Sequence, residues 1–177
     1  CAGLPDEDAE SEMFGRKVSD SETIGFFEYA HEGTVLLDGI AELSLSLQAK
    51  LLRFLTDGSF RRVGEEKEHH ANVRVICTSQ EPMEKLLEQG RLRSDLFHRL
   101  NVLALNVPPL RERVEDIQPL TDGFLQEIST QLKIPMPQYD ADFLNYLKGQ
   151  PWQGNVRELY NVLYRACSLA KNNQLDI

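Results

Sequence analysis

The run Thr34-Val35-Leu36-Leu37-Asp38 follows Gly33 and stays apolar without alternation until a carboxylate ends it. A strand covered on one face would alternate, so an unbroken run reads as a strand buried on both faces of a parallel sheet. Val73-Arg74-Val75-Ile76-Cys77-Thr78 and Leu103-Ala104-Leu105-Asn106-Val107 read as a second and a third strand. Over 46–57, Leu47, Leu51, Leu52 and Leu55 recur at helical spacing, with Gln48, Lys50 and Arg53 turned outward. Helices are also expected over 83–89 and around 95–100. Upstream, an acidic helix over 5–14 is closed by Gly15, a polar loop covers 16–23, and a short helix covers 24–30. Strands alternating with helices imply an α/β fold with a mainly parallel sheet.

The character changes after Pro108-Pro109. No strand candidate follows Val114, only helical patterns over 115–131, 140–148 and 155–170, with Ile134-Pro135-Met136-Pro137 as a connector. The expected division is an α/β core over 1–113 and a small all-α lid over 114–177.

Charge and cysteine usage narrow the classes. A net charge of −9 makes the chain a poor gripper of DNA phosphates by itself. No apolar run approaches the roughly 18 residues that span a bilayer. Cys1, Cys77 and Cys167 have no CxxC spacing, which points to reduced thiols in a cytoplasmic protein and not to a disulfide framework or zinc ribbon. His69 and His70 are adjacent, so in a strand they face opposite ways and cannot share a metal. The chain opens on Cys1 without an initiator Met or signal-peptide pattern, which suggests a fragment.

Ligands of open parallel sheets bind beyond the carboxyl ends of the strands. Asp38 ends its strand there, and an aspartate so placed can hold a magnesium ion through water while the ion bridges nucleotide phosphates. Alone, the same pattern also describes a strand-ending turn residue.

Several segments agree with the nucleotide reading. Residues 33–43, GTVLLDGIAEL, resemble the Walker B segment GTLFLDEIGEL of sigma-54-dependent activators, which are AAA+ ATPases. Residues 48–53 and 60–64 are similar to that family's QxKLLRxL and FxRVG stretches. Residues 92–102 look like its FRxDLxxRLNV motif, 107–113 its PPLRER segment, and 151–159 its PWPGNVREL signature. They occur in family order across nearly the whole chain. The resemblance implies an AAA+ parallel-sheet core followed by a helical lid, binding ATP with Mg2+ through Asp38. It implies that Arg93 and Arg99 reach into a neighbouring subunit's nucleotide site, where a guanidinium offers a rigid, always-charged fork for phosphate oxygens. Arg157 would sense the γ-phosphate from the lid, and Arg111 joins the implied nucleotide contacts. Gln80 stands where the family usually has Asn; both amides can orient a water or phosphate oxygen. Trp152 is expected to pack the lid against the α/β part, and Asp57, Glu65 and Glu66 to be surface charges.

The chain departs from that family in three places. No GxxxxGK[ST] is present; in the family that phosphate loop lies upstream of the segment on which this chain opens. Between Phe14-Gly15 and Gly25-Phe26 there is no GAFTGA, the loop that engages sigma-54. Gly39 replaces the Glu that polarises the attacking water, a general-base role typically contributing about 10²–10⁴ in rate. Slow or absent ATP hydrolysis is therefore expected. With Gly25-Phe26-Phe27-Glu28, Lys50-Leu51-Leu52-Arg53-Phe54-Leu55 and Arg74-Val75-Ile76-Cys77, the chain resembles the TyrR-type regulators of aromatic amino-acid metabolism more closely. That implies a transcription regulator acting at ordinary promoters as repressor or activator, ligand-dependent self-assembly, tyrosine or another aromatic amino acid as effector, and RNA polymerase as a possible partner. It also places DNA binding and effector sensing in regions outside this chain, and implies no membrane role.

Overall fold

A computed structural model describes residues 5–170 and 174–175 of the chain. Cys1 lies outside the described residues. Two compact units divide between Ala104 and Leu105. The expected boundary near Arg113 lies beyond that division, because Leu110 is fully buried in the core of the helical unit.

The first unit opens with α1 (Asp6–Phe14), which buries Ala9, Met13 and Phe14. The stretch expected as a loop is instead an antiparallel hairpin of β1 (Arg16–Val18) and β2 (Ser21–Thr23). Polar side chains gave it no apolar period, and its register comes from the turn and from backbone pairing. Its base is tight: a Cβ on Gly25 would lie 2.3 Å from the Gly15 nitrogen, so only glycine fits. After α2 (Phe26–Tyr29) comes β3 (Thr34–Leu37), which pairs in parallel with β6 (Arg74–Cys77) in the register Leu37↔Cys77. Between them lie α3 (Leu45–Asp57) and the antiparallel pair β4 (Ser59–Arg61) and β5 (Glu68–His70). Ser44 caps α3 by accepting the Leu47 N–H. α4 (Met83–Glu88) and α5 (Ser94–Leu100) follow β6.

Three expectations about the apolar runs need correction. β3 alternates, with Val35 and Leu37 buried while Leu36 is 61% exposed, and Ile76 of β6 is also exposed. Residues 103–107 form no strand; Leu103 and Leu105 are almost fully exposed. A strand exists only where a neighbour takes its backbone hydrogen bonds, and 103–107 has none among the described residues. Gln48 points inward, fully buried, with consequences given below.

The unit's core is built on rings: Phe27 lies 5.4 Å from Phe14 and 4.2 Å from Phe54, and Phe60 lies 6.0 Å from Phe54. Beside this cluster Arg62 is buried. Its guanidinium donates to both Glu28 carboxylate oxygens at 2.8 and 2.9 Å, and it also bonds Glu22 of the hairpin. Glu65, expected at the surface, has a side chain only 9% exposed, accepting from Lys17 at 3.1 Å and lying 2.8 Å from His69 Nε2. The hydrogen bond from His69, then that from Lys17, hold the Glu65 carboxyl below the usual carboxylate range. His70, next in the strand, faces outward.

The second unit consists of α6 (Ile117–Leu132), α7 (Ala141–Lys148) and α8 (Asn155–Leu169). Pro119 is tolerated in the first turn of α6, where its missing N–H has no intrahelical partner. The region has one small parallel pair that the helical patterns did not foretell, β7 (Gln138–Tyr139) with β8 (Gln174–Leu175). Trp152 is 3% exposed in this unit's own core, where its indole N–H donates to the Leu147 carbonyl at 2.7 Å. Asn155, at positive φ, accepts the Leu110 N–H at 2.8 Å and ties the start of α8 to the Pro108-Pro109-Leu110 segment. Glu158 Oε2 accepts the Gly154 N–H at 2.8 Å. No helix among the described residues is long and apolar enough to cross a membrane.

Removing one partner of a buried ion pair costs roughly 3–5 kcal/mol. Arg62→Met is expected near the lower figure, since Glu22 and Glu28 remain partly wet; chemical denaturation reads it directly. A depressed folded-state pKa gives Glu65 a stabilising contribution present above its unfolded value of about 4.3, lost as pH falls through the lower folded value. Wild type is therefore expected to melt above Glu65→Gln at neutral pH, with the gap closing only below the ordinary carboxylate range. A gap that stays constant as pH falls from about 4.3 through the lower folded value would refute the role given to Glu65.

Candidate functional site

The parallel register of β3 and β6 sets residues 38 and 78 side by side beyond the strand ends. The Thr78 N–H donates to the Leu37 carbonyl and the Ile40 N–H to the Thr78 carbonyl, both at 3.0 Å. The Thr78 hydroxyl donates to Asp38 Oδ1 at 2.5 Å and accepts the Gly39 N–H at 3.1 Å. One threonine thus orients the carboxylate and anchors the turn that follows it. Thr78 was not singled out from sequence, and only its position at the end of a second apolar run could have flagged it.

Gly39 has φ 74 and ψ 62, the left-handed region that β-carbon-bearing residues adopt at a cost. A Cβ there would meet only the Glu42 Cγ, at 3.4 Å. Glycine is therefore favoured by backbone conformation and not by crowding. The Glu42 carboxylate lies 3.7 Å from Arg91, which bonds Glu81 at 2.8 Å. Lys85 first, then Arg91, lower the Glu81 pKa. Gln80 is exposed in the loop after β6.

Arg93 caps the start of α5. Its N–H donates at 2.9 Å to Gln48 Oε1, while Gln48 Nε2 donates to the carbonyls of Leu43 at 2.9 Å and Arg91 at 2.8 Å. The buried amide of Gln48 therefore fixes the backbone that carries Arg93. The Arg93 side chain forms a two-pronged bond with Asp95, at 3.0 and 2.8 Å. Each raises or lowers the other accordingly: the arginine is held more basic and the aspartate more acidic. Arg99 donates twice to the Leu55 carbonyl, at 3.1 and 2.6 Å. Arg93 stands at the N-cap of α5 and Arg99 in its last turn, and each already has an acceptor within its own unit. In the second unit, Arg111 lies 3.6 Å from Glu112. Arg157 is exposed in the first turn of α8 and has no ion pair among the described residues.

The Asp38 carboxylate is exposed and oriented by a hydroxyl donor, surroundings compatible with a hydrated cation. No cluster of three or more His, Cys, Asp or Glu able to hold a bare metal occurs among the described residues. Burial pushes the Cys77 thiol up to about 11, so at neutral pH it is held protonated.

The comparisons with known proteins agree with this geometry. Residues 1–106 match the Sigma-54 interaction domain and residues 111–177 the AAA+ ATPase lid domain. The chain is 77% identical over its full length to the HTH-type transcriptional regulatory protein TyrR of Haemophilus influenzae, spanning 56% of that protein. It is 51% identical to TyrR of Enterobacter agglomerans, covering 99% of this chain and 34% of that one. The crystal structure of NtrX from Brucella abortus in complex with ADP superposes with a TM-score of 0.89 at 35% identity, over 99% of this chain and 39% of that chain. The chain thus spans about a third to a half of the relatives it matches. With a parallel β3–β6 pair ending in Asp38 and a separate helical unit bearing Arg157, the chain belongs to the Sigma-54 interaction domain family, as an AAA+ core with its lid, and is strongly homologous to the TyrR regulators.

Proposed function

We propose that the chain is the nucleotide-responsive assembly module of a DNA-binding transcription regulator, working in the cytoplasm with little or no ATP hydrolysis. The observation that carries this reading is Gly39. The Asp38 carboxylate is oriented by the Thr78 hydroxyl, yet the residue after it has no side chain and a left-handed backbone. ATP with Mg2+ would be held in the first unit by Asp38 and Gln80, with Arg93 and Arg99 supplied to a neighbouring copy. The chain's own groups then bind, orient and neutralise phosphate charge, while no positioned carboxylate activates water. Glu42 is drawn towards Arg91 and so does not replace the missing base.

The effector in this reading is tyrosine or another aromatic amino acid, as in the regulators the chain resembles. DNA is contacted through a region outside the chain, at ordinary promoters, as repressor or activator; RNA polymerase is a further partner. A sigma-54-dependent ATPase motor is the competing reading. Against it stands the hairpin over 16–23, a short charged ribbon without the small-residue tip of GAFTGA.

Three experiments test the proposal. In the full-length protein, ATP and tyrosine are expected to shift sedimentation towards larger assemblies with turnover far below 1 s⁻¹; turnover on the order of 1 s⁻¹, ordinary for enzymes, would overturn it. Gly39→Ala is expected to cost roughly 1–2 kcal/mol from the left-handed backbone alone. Gly39→Glu must therefore be compared with Gly39→Ala, and a gain in hydrolysis specific to the glutamate is the expected result. Thr78→Val should lower stability by about 1 kcal/mol and weaken ATP binding several-fold; unchanged ATP affinity would remove Thr78 and Asp38 from the nucleotide site.

A further inference from the structure

Two routes of polar contacts leave the strand-end site, and both finish on residues 91–93. The first starts behind β3. Gly39 turns the chain into the short 3-10 turn Ile40–Glu42, which ends at Leu43. The Leu43 carbonyl accepts Gln48 Nε2 at 2.9 Å, the same nitrogen donates to the Arg91 carbonyl at 2.8 Å, and Gln48 Oε1 accepts the Arg93 N–H at 2.9 Å. The second starts behind β6. Ser79 Oγ donates to the Glu81 carbonyl at 2.6 Å, the Glu81 carboxylate accepts Arg91 Nη1 at 2.8 Å, and Arg91 Nη2 lies 3.7 Å from Glu42 Oε1. Thr78 joins the two starts through Asp38 Oδ1 and the Gly39 N–H.

The two routes differ in stiffness. Arg91, Glu42 and Glu81 are partly solvated, so water can replace either ion pair. Gln48 is fully buried. Its amide carries Leu43 at the donor end and Arg93 at the acceptor end. A displacement of Leu43 must either turn that amide, and with it the Arg93 N–H, or leave a buried polar atom unpaired, which is the costlier course. Ile40 and Leu43 are buried in the core, so the turn shifts as a packed body and does not absorb the movement. The Arg91 end is anchored as well: the N–H groups of Arg91 and Leu92 both donate to the Leu86 carbonyl of α4, at 2.9 and 3.2 Å. Arg93 is the first residue beyond that anchor, so a turn of the amide emerges there.

We propose that Gln48 is a positioning residue, through which a nucleotide phosphate and its divalent cation at the strand ends control how Arg93 is presented to a neighbouring copy, with Arg91 as the weaker parallel link. The Asp95 carboxylate is held to α5 by the Leu96 N–H at 2.8 Å, whereas Arg93 stands outside the first turn. Turning residue 93 therefore pulls the guanidinium away from Asp95 and frees it for another acceptor. The ligand class rests on the nucleotide reading above; the link between residues 39–43 and 91–93 rests on the bonds alone.

Amide exchange and sedimentation of the full-length protein test it, with Mg-ATP as the probe. At a concentration too low for assembly, Mg-ATP is expected to slow exchange over 39–43 and 91–95 together. Gln48→Met, close in shape but without polar atoms at its tip, should keep the first response and lose the second. The gain in assembly constant on adding Mg-ATP should fall at least about fivefold, against usual couplings of about 5–150-fold. Arg91→Gln cuts only the solvated link and leaves the core intact, so it reports even where Gln48→Met does not fold; a fall of about twofold is expected. A purely structural Gln48 would lower stability and leave the paired response and the gain as they are. Equal protection of 91–95 in Gln48→Met and wild type, or an unchanged gain in every variant that folds, would overturn the link. If wild type assembles with Mg-ATP while 91–95 stays unresponsive, the link falls and the assembly reading stands. If Mg-ATP leaves wild-type assembly unchanged, the assembly reading falls, and the response of 91–95 alone decides the link.

Discussion

The parallel pairing of β3 with β6 is the constraint from which the candidate site follows. Once Leu37 lies opposite Cys77, the backbone bonds from Thr78 to Leu37 and from Ile40 to Thr78 fix where both chains leave the sheet. Only then can one hydroxyl reach Asp38 and the Gly39 N–H together. A slip of one residue would turn Val35 and Leu37 to the exposed face and carry Thr78 away from Asp38. The buried alternation of β3 therefore protects the chemistry as well as the core. Gly39 belongs to the same device, since its left-handed turn is what sends the chain back towards Ile40, a fully buried residue.

A second link runs through Gln48. Its fully buried amide satisfies two carbonyls and one N–H, and these belong to Leu43, Arg91 and Arg93. An amide buried with all these bonds met is rigid, because any displacement leaves a polar group unpaired at about 1–3 kcal/mol. The segment after the strand-end site and the segment presenting Arg93 are thus held by one side chain of α3. Gln48 supplies the support that placed arginines need; Leu51, Leu52 and Leu55 follow it at three, four and seven residues, so it shares the apolar face of α3.

Sequence reading succeeded where periodicity and local chemistry act alone. The helices α3, α4, α5, α7 and α8 lie close to their expected spans, because their apolar stripes and caps are local. The AAA+ core and lid were recognisable through ordered motifs, the form in which long-range geometry leaves a local trace. Readings that depended on partners fared worse. Residues 103–107 have strand composition but no strand to pair with among the described residues. The hairpin over 16–23 has no apolar period, yet Val63 and Arg62, some forty residues away, hold it. Glu65 looks like any loop carboxylate until Lys17 and His69 are brought to it. Trp152 fills the core of its own unit, and a lone tryptophan in a sequence cannot say which core it serves.

Engagement of both candidate finger arginines within their own unit bears on how nucleotide and assembly would be linked. Arg93 holds Asp95 and Arg99 holds the Leu55 carbonyl. In the proposed assembly a neighbour's bound phosphates must compete with these acceptors. The Arg93–Asp95 pair is exposed and screened by solvent, so it is a weak competitor. A polyphosphate offers more charge than one carboxylate, whereas an empty neighbouring site offers none. The arginines therefore gain from a second copy only when that copy carries nucleotide, and a ligand shifts assembly only through such a difference between states. No hydrolysis is needed for this coupling, which is why the loss of a side chain at Gly39 is compatible with a working switch.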